Sequence, residues 1–563
     1  MVQNSYDPRQ LQWWATGDTP VRTDSQVAYL IDGRTAMLTM CRRFLRARRY
    51  IYLADWGLTA SMQMVRGSDH RAGPDGSPAQ EALLTELRAS GLDEDAIAFW
   101  CSHDLTVQSV LGYAVSRGVE VKVLIWKGSP LFSACDVEAS YNELNKVGVA
   151  CLLDDSSFGI LHHPAESLHQ KCAVIDGDTA FVGGIDLLIE TGGKFDRWDT
   201  SSHPFSTPLR IDDQGQTPYS WHDVHSLIEG PAAGDVELNF RQRWNYVVTH
   251  HHLDNRLLVP AHEPCHPLQS NIVMQIARTI PEHTYNFEPN IIRGIAQLYA
   301  NAFHNTQRFV YLENQYLWLR AYTGIDIAIL GYDNPEMERN LGELRDALRR
   351  GTSMMIILPD HPNVGRAFTD AALQKLRTEA PDAVEEGRLH AFTLATSELQ
   401  DGKMHYRPIY VHAKVAIVDD VWSTVGSGNL NNRGMSDDVE MNVAALDPWL
   451  ARYLRLQLQA EHLGLLGDEE LFILSRFLGR QYLSSAEQQR ATDILKYLEQ
   501  SLGNPQWAMQ MMHERAWANL QRYKDGQSLV GHLLPYLTAE EAVAQGVNFR
   551  EEVGWIEEEG RGD

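Results

Sequence analysis

The chain alternates long helix-period stretches with short apolar runs, and it does so twice. From Arg34 to Arg48 apolar residues return at helical spacing, and the stretch runs into Tyr50-Ile51-Tyr52-Leu53-Ala54-Asp55-Trp56, whose aromatic and β-branched content predicts a strand. The succession recurs from Gly294 to Gln307 and into Phe309-Val310-Tyr311-Leu312-Glu313-Asn314-Gln315-Tyr316. A second unit follows in each half: Val107 to Arg117 leads through Gly118 into Val119 to Ile125, and Leu341 to Arg350 through Gly351 into Met354 to Pro359. Gly118 and Gly351 stand where a helix C-cap is expected. Helices alternating with apolar strands predict α/β layers in two repeated halves, with a sheet covered on both faces. The Pro-bearing stretch from Val259 to Pro267 marks the boundary, giving an N-terminal half over 1–260 and a C-terminal half over 261–465. After the second His-x-Lys, Pro448 to Leu520 reads as mostly helical, with Leu454, Leu458, Leu463 and Leu465 spaced for a buried face, and 466–563 is expected to be a mostly helical extension. The polar stretch from Gly67 to Pro78 reads as a loop, and the tail from Glu557 to Asp563 as frayed.

Each half then reaches the same short sentence. His169 is followed at plus two by Lys171, at plus seven by Asp176 and at plus fourteen by Gly183. His412 is followed at the same offsets by Lys414, Asp419 and Gly426, and at plus seventeen stand Asp186 and Asn429. In a strand, alternate side chains share a face, so each His and its Lys point together. Asp176-Gly177-Asp178 and Asp419-Asp420 are turn signals, and both aspartates read as supports of those turns. Gly183-Gly184 and Gly426-Ser427-Gly428 would let backbone amides approach a phosphate oxygen, with Asn429 adding a side-chain donor. Asp186 cannot donate when ionised, so the two halves are not chemically equivalent. Breaking a phosphodiester needs a nucleophile, a proton donor for the leaving alcohol and positive charge on the phosphate oxygens. Two imidazoles and two ammonium groups make one such site.

The two blocks resemble the paired H-x-K-x4-D motifs of the phospholipase D superfamily. Ile409 to Lys414, the Glu313-Asn314-Gln315-Tyr316 strand, Gly183 to Leu187, Arg197 to Thr200, Trp221 to Val224, Arg243 to Asn245 and Glu461 to Gly464 are similar to segments of its phosphatidylcholine-cleaving branch. The resemblance covers roughly Ile31 to Gly464. It implies two tandem α/β/α sandwich halves in a pseudo-twofold relation with one active site between them, a covalent phosphohistidine and no metal or other cofactor. It also implies that His169 attacks phosphorus and His412 protonates the leaving alcohol; the residues alone allow the reverse. Lys171 and Lys414 would hold the non-bridging oxygens. Each imidazole needs a carboxylate to fix its tautomer. Glu440, 28 residues after His412, and Asp199, 30 after His169, match family positions for that role. One departure is Glu288-Pro289-Asn290-Ile291, where the family's lipases often carry Glu-x-Ser-Ile.

Composition narrows the setting. A hydrophobic content of 44% and 14 tryptophans in 563 residues describe a globular chain of two or more domains. A formal charge of -25 disfavours a general nucleic-acid or anionic-membrane binder. Six cysteines without CxxC spacing read as free thiols in a reducing compartment. Met1 to Asp7 lacks a basic and apolar leader pattern, and no run of 18 apolar residues occurs, so a cytoplasmic or peripheral-membrane location is expected, with non-classical export left open. The expected partner is a phospholipid at a membrane surface, met by a monomer. His250-His251-His252 reads as a solvated loop, His222 and His225 as hydrogen-bonded core or rim residues, and Trp13-Trp14 as packing. The resulting expectation is a phospholipase D that releases phosphatidic acid and a head-group alcohol, with transphosphatidylation as a side reaction. A phosphodiesterase of nucleic acid or soluble diesters, a cardiolipin-synthase-like transferase and a lipid-binding scaffold with a dead site remain as alternatives.

Overall fold

Two mixed sheets carry the chain, and each grows from the helix-then-strand units that the hydrophobic spacing predicts. The computed structural model describes residues 12–70, 81–128, 134–157, 166–212, 214–288, 290–320, 334–362, 364–550 and 554–556. Residues 71–78 of the expected loop, Pro289 and the tail from Glu557 lie outside the described residues.

The first sheet holds β1 (Gln26–Ile31), β2 (Tyr50–Asp55), β3 (Glu120–Trp126), β4 (Ala150–Asp154), β5 (Cys172–Ile175) and β6 (Thr179–Gly183). After β7 (Trp221–His222), which leaves the sheet, β8 (Val224–Glu229) completes it in the order β1-β8-β6-β5-β2-β3-β4. The second sheet contains β9 (Val273–Ile280), β10 (Ile292–Arg293), β11 (Phe309–Asn314), β12 (Ser353–Ile357), β13 (Leu389–Gln400) and β14 (Lys403–Pro408). Past β15 (Tyr410–Val411), it adds β16 (Lys414–Val418), β17 (Trp422–Gly426) and β18 (Glu440–Leu446), ordered β10-β9-β18-β17-β16-β11-β12-β13-β14. In both, three strands joined through helices run parallel (β2-β3-β4 and β11-β12-β13), and the hairpin after each His-x-Lys adds antiparallel neighbours.

Each sheet is covered on both faces. Helices Asp32–Arg46 and Val107–Ser116 bury Met37, Phe44, Val110 and Leu111 against the first sheet, and Gly294–Asn305 and Pro335–Arg349 bury Leu298, Phe303 and Leu344 against the second. The inner faces share one core, in which Tyr29, Val182 and Ile228 meet Ile276, Val425 and Val443. Helix Ala233–His250 fills it with Phe240 and Trp244, and Pro448–Leu463 with Leu454 and Leu458.

The chain ends cross the boundaries expected at 260 and 465. Trp13 stacks on Trp422 at 6.1 Å in the second half's outer core. Near the other end, β19 (Leu533–Pro535) pairs antiparallel with β13. Both joins bury apolar side chains that their own short segments cannot cover.

Candidate active site

The two His-x-Lys segments meet where the halves exchange backbone. Ahead of His412, β15 pairs in parallel with β7 of the first half, and the His412 N–H donates to the His222 carbonyl at 2.8 Å. Ahead of His169, Leu168 bridges Val439 of the second half, and the His169 N–H donates to the Val439 carbonyl at 2.9 Å. The exchange brings the imidazole centroids to 6.2 Å. It also delivers the residue after each crossing strand to the other half's histidine. His169 Nδ1 lies 2.9 Å from Glu440 Oε1, and His412 Nδ1 lies 2.6 Å from Asp223 Oδ2. Each imidazole is held through Nδ1, which leaves Nε2 for chemistry.

Asp199 does not take the place expected for it. It accepts a hydrogen bond from the Trp221 N–H, faces His203 Nδ1 at 3.1 Å and pairs with Arg210 at 3.0 Å. The spacing misleads because the first half carries a longer excursion between β6 and β7, which moves the residue equivalent to Glu440 to Asp223, 54 positions past His169. Asp176 and Asp419 also stand away from the histidines. With φ of 53° and 56°, they close the turns after β5 and β16, and their carboxylates accept backbone N–H groups at the starts of β2 and β11. They brace the sheets and have no reach to a substrate phosphate.

The lysines sit in unlike surroundings. Lys171 Nζ donates to the His169 carbonyl at 2.8 Å and pairs with Asp186 at 3.3 Å. Lys414 Nζ donates to Gln315 Oε1 at 3.2 Å, and Asn429 Nδ2 donates to that same oxygen at 3.2 Å. Gln315 is thus a site residue that the motif spacing does not single out, although it stands in the quoted Glu313-to-Tyr316 segment. Indoles wall the site: Trp56 lies 5.9 Å from His169, and Trp221 4.7 Å from His412.

The glycine-bearing turns serve another purpose than expected. The N–H groups of Gly183, Gly184 and Ser427 already donate to Lys171, Val224 and Met441 carbonyls, and that of Gly428 to Asn442 Oδ1. These amides are spent on the fold and are not available to phosphate. Small size matters instead: a Cβ on Gly184 would stand 2.1 Å from Asp223 Oδ1, and one on Gly183 2.4 Å from His225 Nδ1.

Electrostatics favour neutral imidazoles before substrate arrives. Burial first, then the Lys171, Lys414 and Arg433 charges, hold His169 well below the ordinary imidazole value. Burial and the same two lysines do the same to His412. Burial lowers Lys414 to about 7 and raises Asp223 to about 6.

Behind Asp223 lies a second buried cluster. His222 Nδ1 lies 3.1 Å from Asp32 and 2.9 Å from Glu461, and His203 Nε2 lies 3.2 Å from Glu461. Asp32, His203, His222 and Glu461 offer ligand atoms close enough together to hold a metal ion. Against the cost of burial, Asp32, Asp199 and Glu461 push His203 up to about 10, so paired imidazolium can also balance these carboxylates. His222 therefore partners carboxylates and not His225, whose burial pushes it down to about 3.

A family model described as "Phospholipase D" matches residues 43–326, and one described as "Cardiolipin synthase, PLD-like domain" matches residues 319–461. Phospholipase D alpha 1 of Carica papaya is 26% identical over 541 residues, covering 75% of this chain and 63% of that protein. Phospholipase D alpha 1 of Cynara cardunculus is 26% identical over 559 residues with the same coverage. The chain thus spans less than two thirds of the length of these relatives. Phosphatidylserine synthase of Haemophilus influenzae Rd KW20 superposes with a TM-score of 0.43 at 12% identity, over 91% of this chain and 97% of that one. With the first of these family models alone spanning half of its residues, the chain belongs to the phospholipase D family.

Proposed function

We propose that the protein is a phospholipase D, cleaving a glycerophospholipid to phosphatidic acid and the head-group alcohol. The observation that carries the reading is the pair of imidazoles 6.2 Å apart, each held through Nδ1 by a carboxylate of the opposite half. In the first step the His169 Nε2 lone pair forms a bond to phosphorus, the bond to the leaving oxygen breaks, and His412 gives that oxygen its proton. Glu440, accepting from Nδ1–H, steadies the charge that grows on His169. In the second step water loses a proton to His412 and attacks phosphorus, and the phosphorus–nitrogen bond breaks. The first step needs His412 protonated, which burial and the two lysines disfavour. A bound phosphodiester anion supplies the missing counter-charge beside those lysines and raises His412. Substrate binding thereby makes the site competent.

An alcohol can replace water in the second step, giving a phosphatidyl transferase. The match of residues 319–461 to a cardiolipin synthase-type domain favours keeping that reading as second. No helix among the described residues is long and apolar enough to cross a membrane, and in this reading the protein meets its substrate at a bilayer surface that it visits. The test is head-group release from phosphatidylcholine and phosphatidylethanolamine vesicles, with EDTA and with or without ethanol. Phosphatidic acid, partly replaced by phosphatidylethanol and lost in His169→Ala and His412→Ala, is the expected result. Product from ethanol alone would support the transferase, and silence on every vesicle would overturn both readings. Loss of activity in EDTA would direct attention to the Asp32 cluster.

A further inference from the structure

Four buried side chains behind Asp223 converge on one point. Asp32 opens the helix Asp32–Arg46, His203 lies in the excursion between β6 and β7, His222 ends β7, and Glu461 belongs to Pro448–Leu463 of the other half. Each is at most 1% exposed. His222 Nδ1 stands 3.1 Å from Asp32 Oδ1 and 2.9 Å from Glu461 Oε1. His203 Nε2 stands 3.2 Å from the same Glu461 oxygen and 3.7 Å from Asp32 Oδ2.

Hydrogen bonds account poorly for this arrangement. A single hydrogen on His222 Nδ1 would face two carboxylates. Glu461 Oε1 faces two ring nitrogens, while its buried Oε2 has no hydrogen-bond partner among the described residues. Neighbouring Glu313 shows the ordinary pattern, one imidazole to each oxygen, with Oε2 2.8 Å from His222 and Oε1 2.7 Å from His462. A divalent ion resolves the crowding. Zinc bonds imidazole nitrogen and carboxylate oxygen at about 2.0–2.2 Å, which sets the corners of a tetrahedral shell about 3.3–3.6 Å apart. The separations here, 2.9 to 3.7 Å, bracket that spacing.

The far sides of both imidazoles are prepared in the same sense. His203 Nδ1 lies 3.1 Å from Asp199, and His222 Nε2 lies 2.8 Å from Glu313. A carboxylate on the other ring nitrogen fixes the tautomer of a metal-bound histidine and raises its basicity. Asp32 and His203 also hold φ of 60° and 41°, left-handed values that cost energy and persist where the surroundings fix them.

We infer that Asp32, His203, His222 and Glu461 bind one divalent transition-metal ion, zinc by its ligand set, as a structural site. Two carboxylates and two neutral imidazoles balance its charge, and four protein ligands leave no open position for a substrate. Calcium, which takes six to eight oxygens, does not suit two imidazoles. The ion would tie Glu461 of the second half to three ligands of the first. It would also pin β7, where the His222 carbonyl receives the His412 N–H at 2.8 Å and Asp223 follows directly. The inference stands on the fold and does not depend on the function proposed above.

The experiment uses the whole chain, purified without chelator from zinc-supplemented cells, with metal content read by plasma mass spectrometry and the ligand shell by zinc-edge X-ray absorption. The expected result is about one zinc ion per chain in a shell of nitrogen and oxygen at about 2.0–2.2 Å, with imidazole scattering and no sulfur. His203→Gln should lose most of the zinc, while His462→Gln, whose imidazole lies outside the set, should keep it. Where His203→Gln does not fold, Asp32→Asn serves in its place, and the absorption spectrum of the parent reads the ligands without any variant. Stripping the ion should lower the melting temperature by about 5 °C or more, and added zinc should restore it. Absence of bound metal, together with no stabilisation by added zinc, would overturn the site and leave imidazolium as the counter-charge. Zinc retained by folded His203→Gln, or a shell containing sulfur, would also overturn it by placing the ion elsewhere. No readout involves lipid, so failure of the head-group assay would sink only the proposed function.

Discussion

His412 Nδ1 stands 2.6 Å from Asp223 Oδ2, although the two residues belong to different halves and lie 189 positions apart. The contact exists because β15 crosses to pair with β7, which ends one residue before Asp223. A hydrogen bond of this kind fixes the tautomer and steadies the imidazolium. Replacing Asp223 with Asn keeps the shape and removes the charge. The expected result is a fall in kcat of about 10²- to 10⁴-fold with little change in KM, as for other carboxylate–imidazole pairs. Asp199→Asn should lower the denaturation midpoint, because Arg210 and His203 lose their buried counter-charge, while kcat falls far less. Steady-state kinetics beside urea melts separate the two. Equal kcat losses would return Asp199 to the catalytic machinery.

Gly184 controls the same contact from behind. A Cβ there would meet Asp223 Oδ1 at 2.1 Å, far inside contact distance, so Gly184→Ala must push the carboxylate away from His412. The expectation is a variant whose kcat drops in parallel with Asp223→Asn and whose combination with it adds little. Additive losses in the double variant would show that Gly184 acts elsewhere.

The outline of the fold was legible because it rests on local periodicity. Residues 34–56 and 294–316 each contain one helix and one strand, and hydrophobic spacing reports both directly. His169, Lys171, His412 and Lys414 were legible through equal offsets in two copies. Of the carboxylate partners, Glu440 was named through its match to a family position, but the histidine it serves and Asp223 were not legible. Glu440 follows its own half's motif at close range yet serves the other half's histidine, and Asp223 lies beyond an excursion that spacing cannot measure. Gln315 was hidden for a related reason: its role depends on β11 lying beside β16, a long-range pairing. The reading of the glycine turns failed because free and engaged N–H groups look alike in a sequence. It took the register of β6 with β5 and β8, and of β17 with β18, to show those amides already bonded.

Asp419 makes a claim about stability alone. Its carboxylate accepts from the N–H groups of Gln307, Arg308 and Phe309, and its φ of 56° lies in the left-handed region. Asp419→Ala leaves those donors unmet while keeping the strained backbone, and should cost about 2–4 kcal/mol of unfolding free energy. Residual kcat of the folded fraction should stay near that of the parent. A kcat loss without a shift in the urea midpoint would contradict the bracing role.

Lys414 sets the pH behaviour. Burial lowers its folded-state value to about 7, below that of an exposed lysine. Between that pH and the ordinary lysine range, the unfolded chain holds a proton that the folded one has released. This residue's contribution to stability therefore rises with pH across that window and is unfavourable below it. Phosphate affinity follows the opposite sign, because the ammonium group is what attracts the substrate. The expected profile is a fall in kcat/KM as pH climbs through about 7 in the free enzyme. Substitution by arginine, which stays charged, should carry that limb to higher pH at some cost in geometry. A limb unmoved in Lys414→Arg, measured on vesicles of fixed composition and ionic strength, would assign the titration to another group.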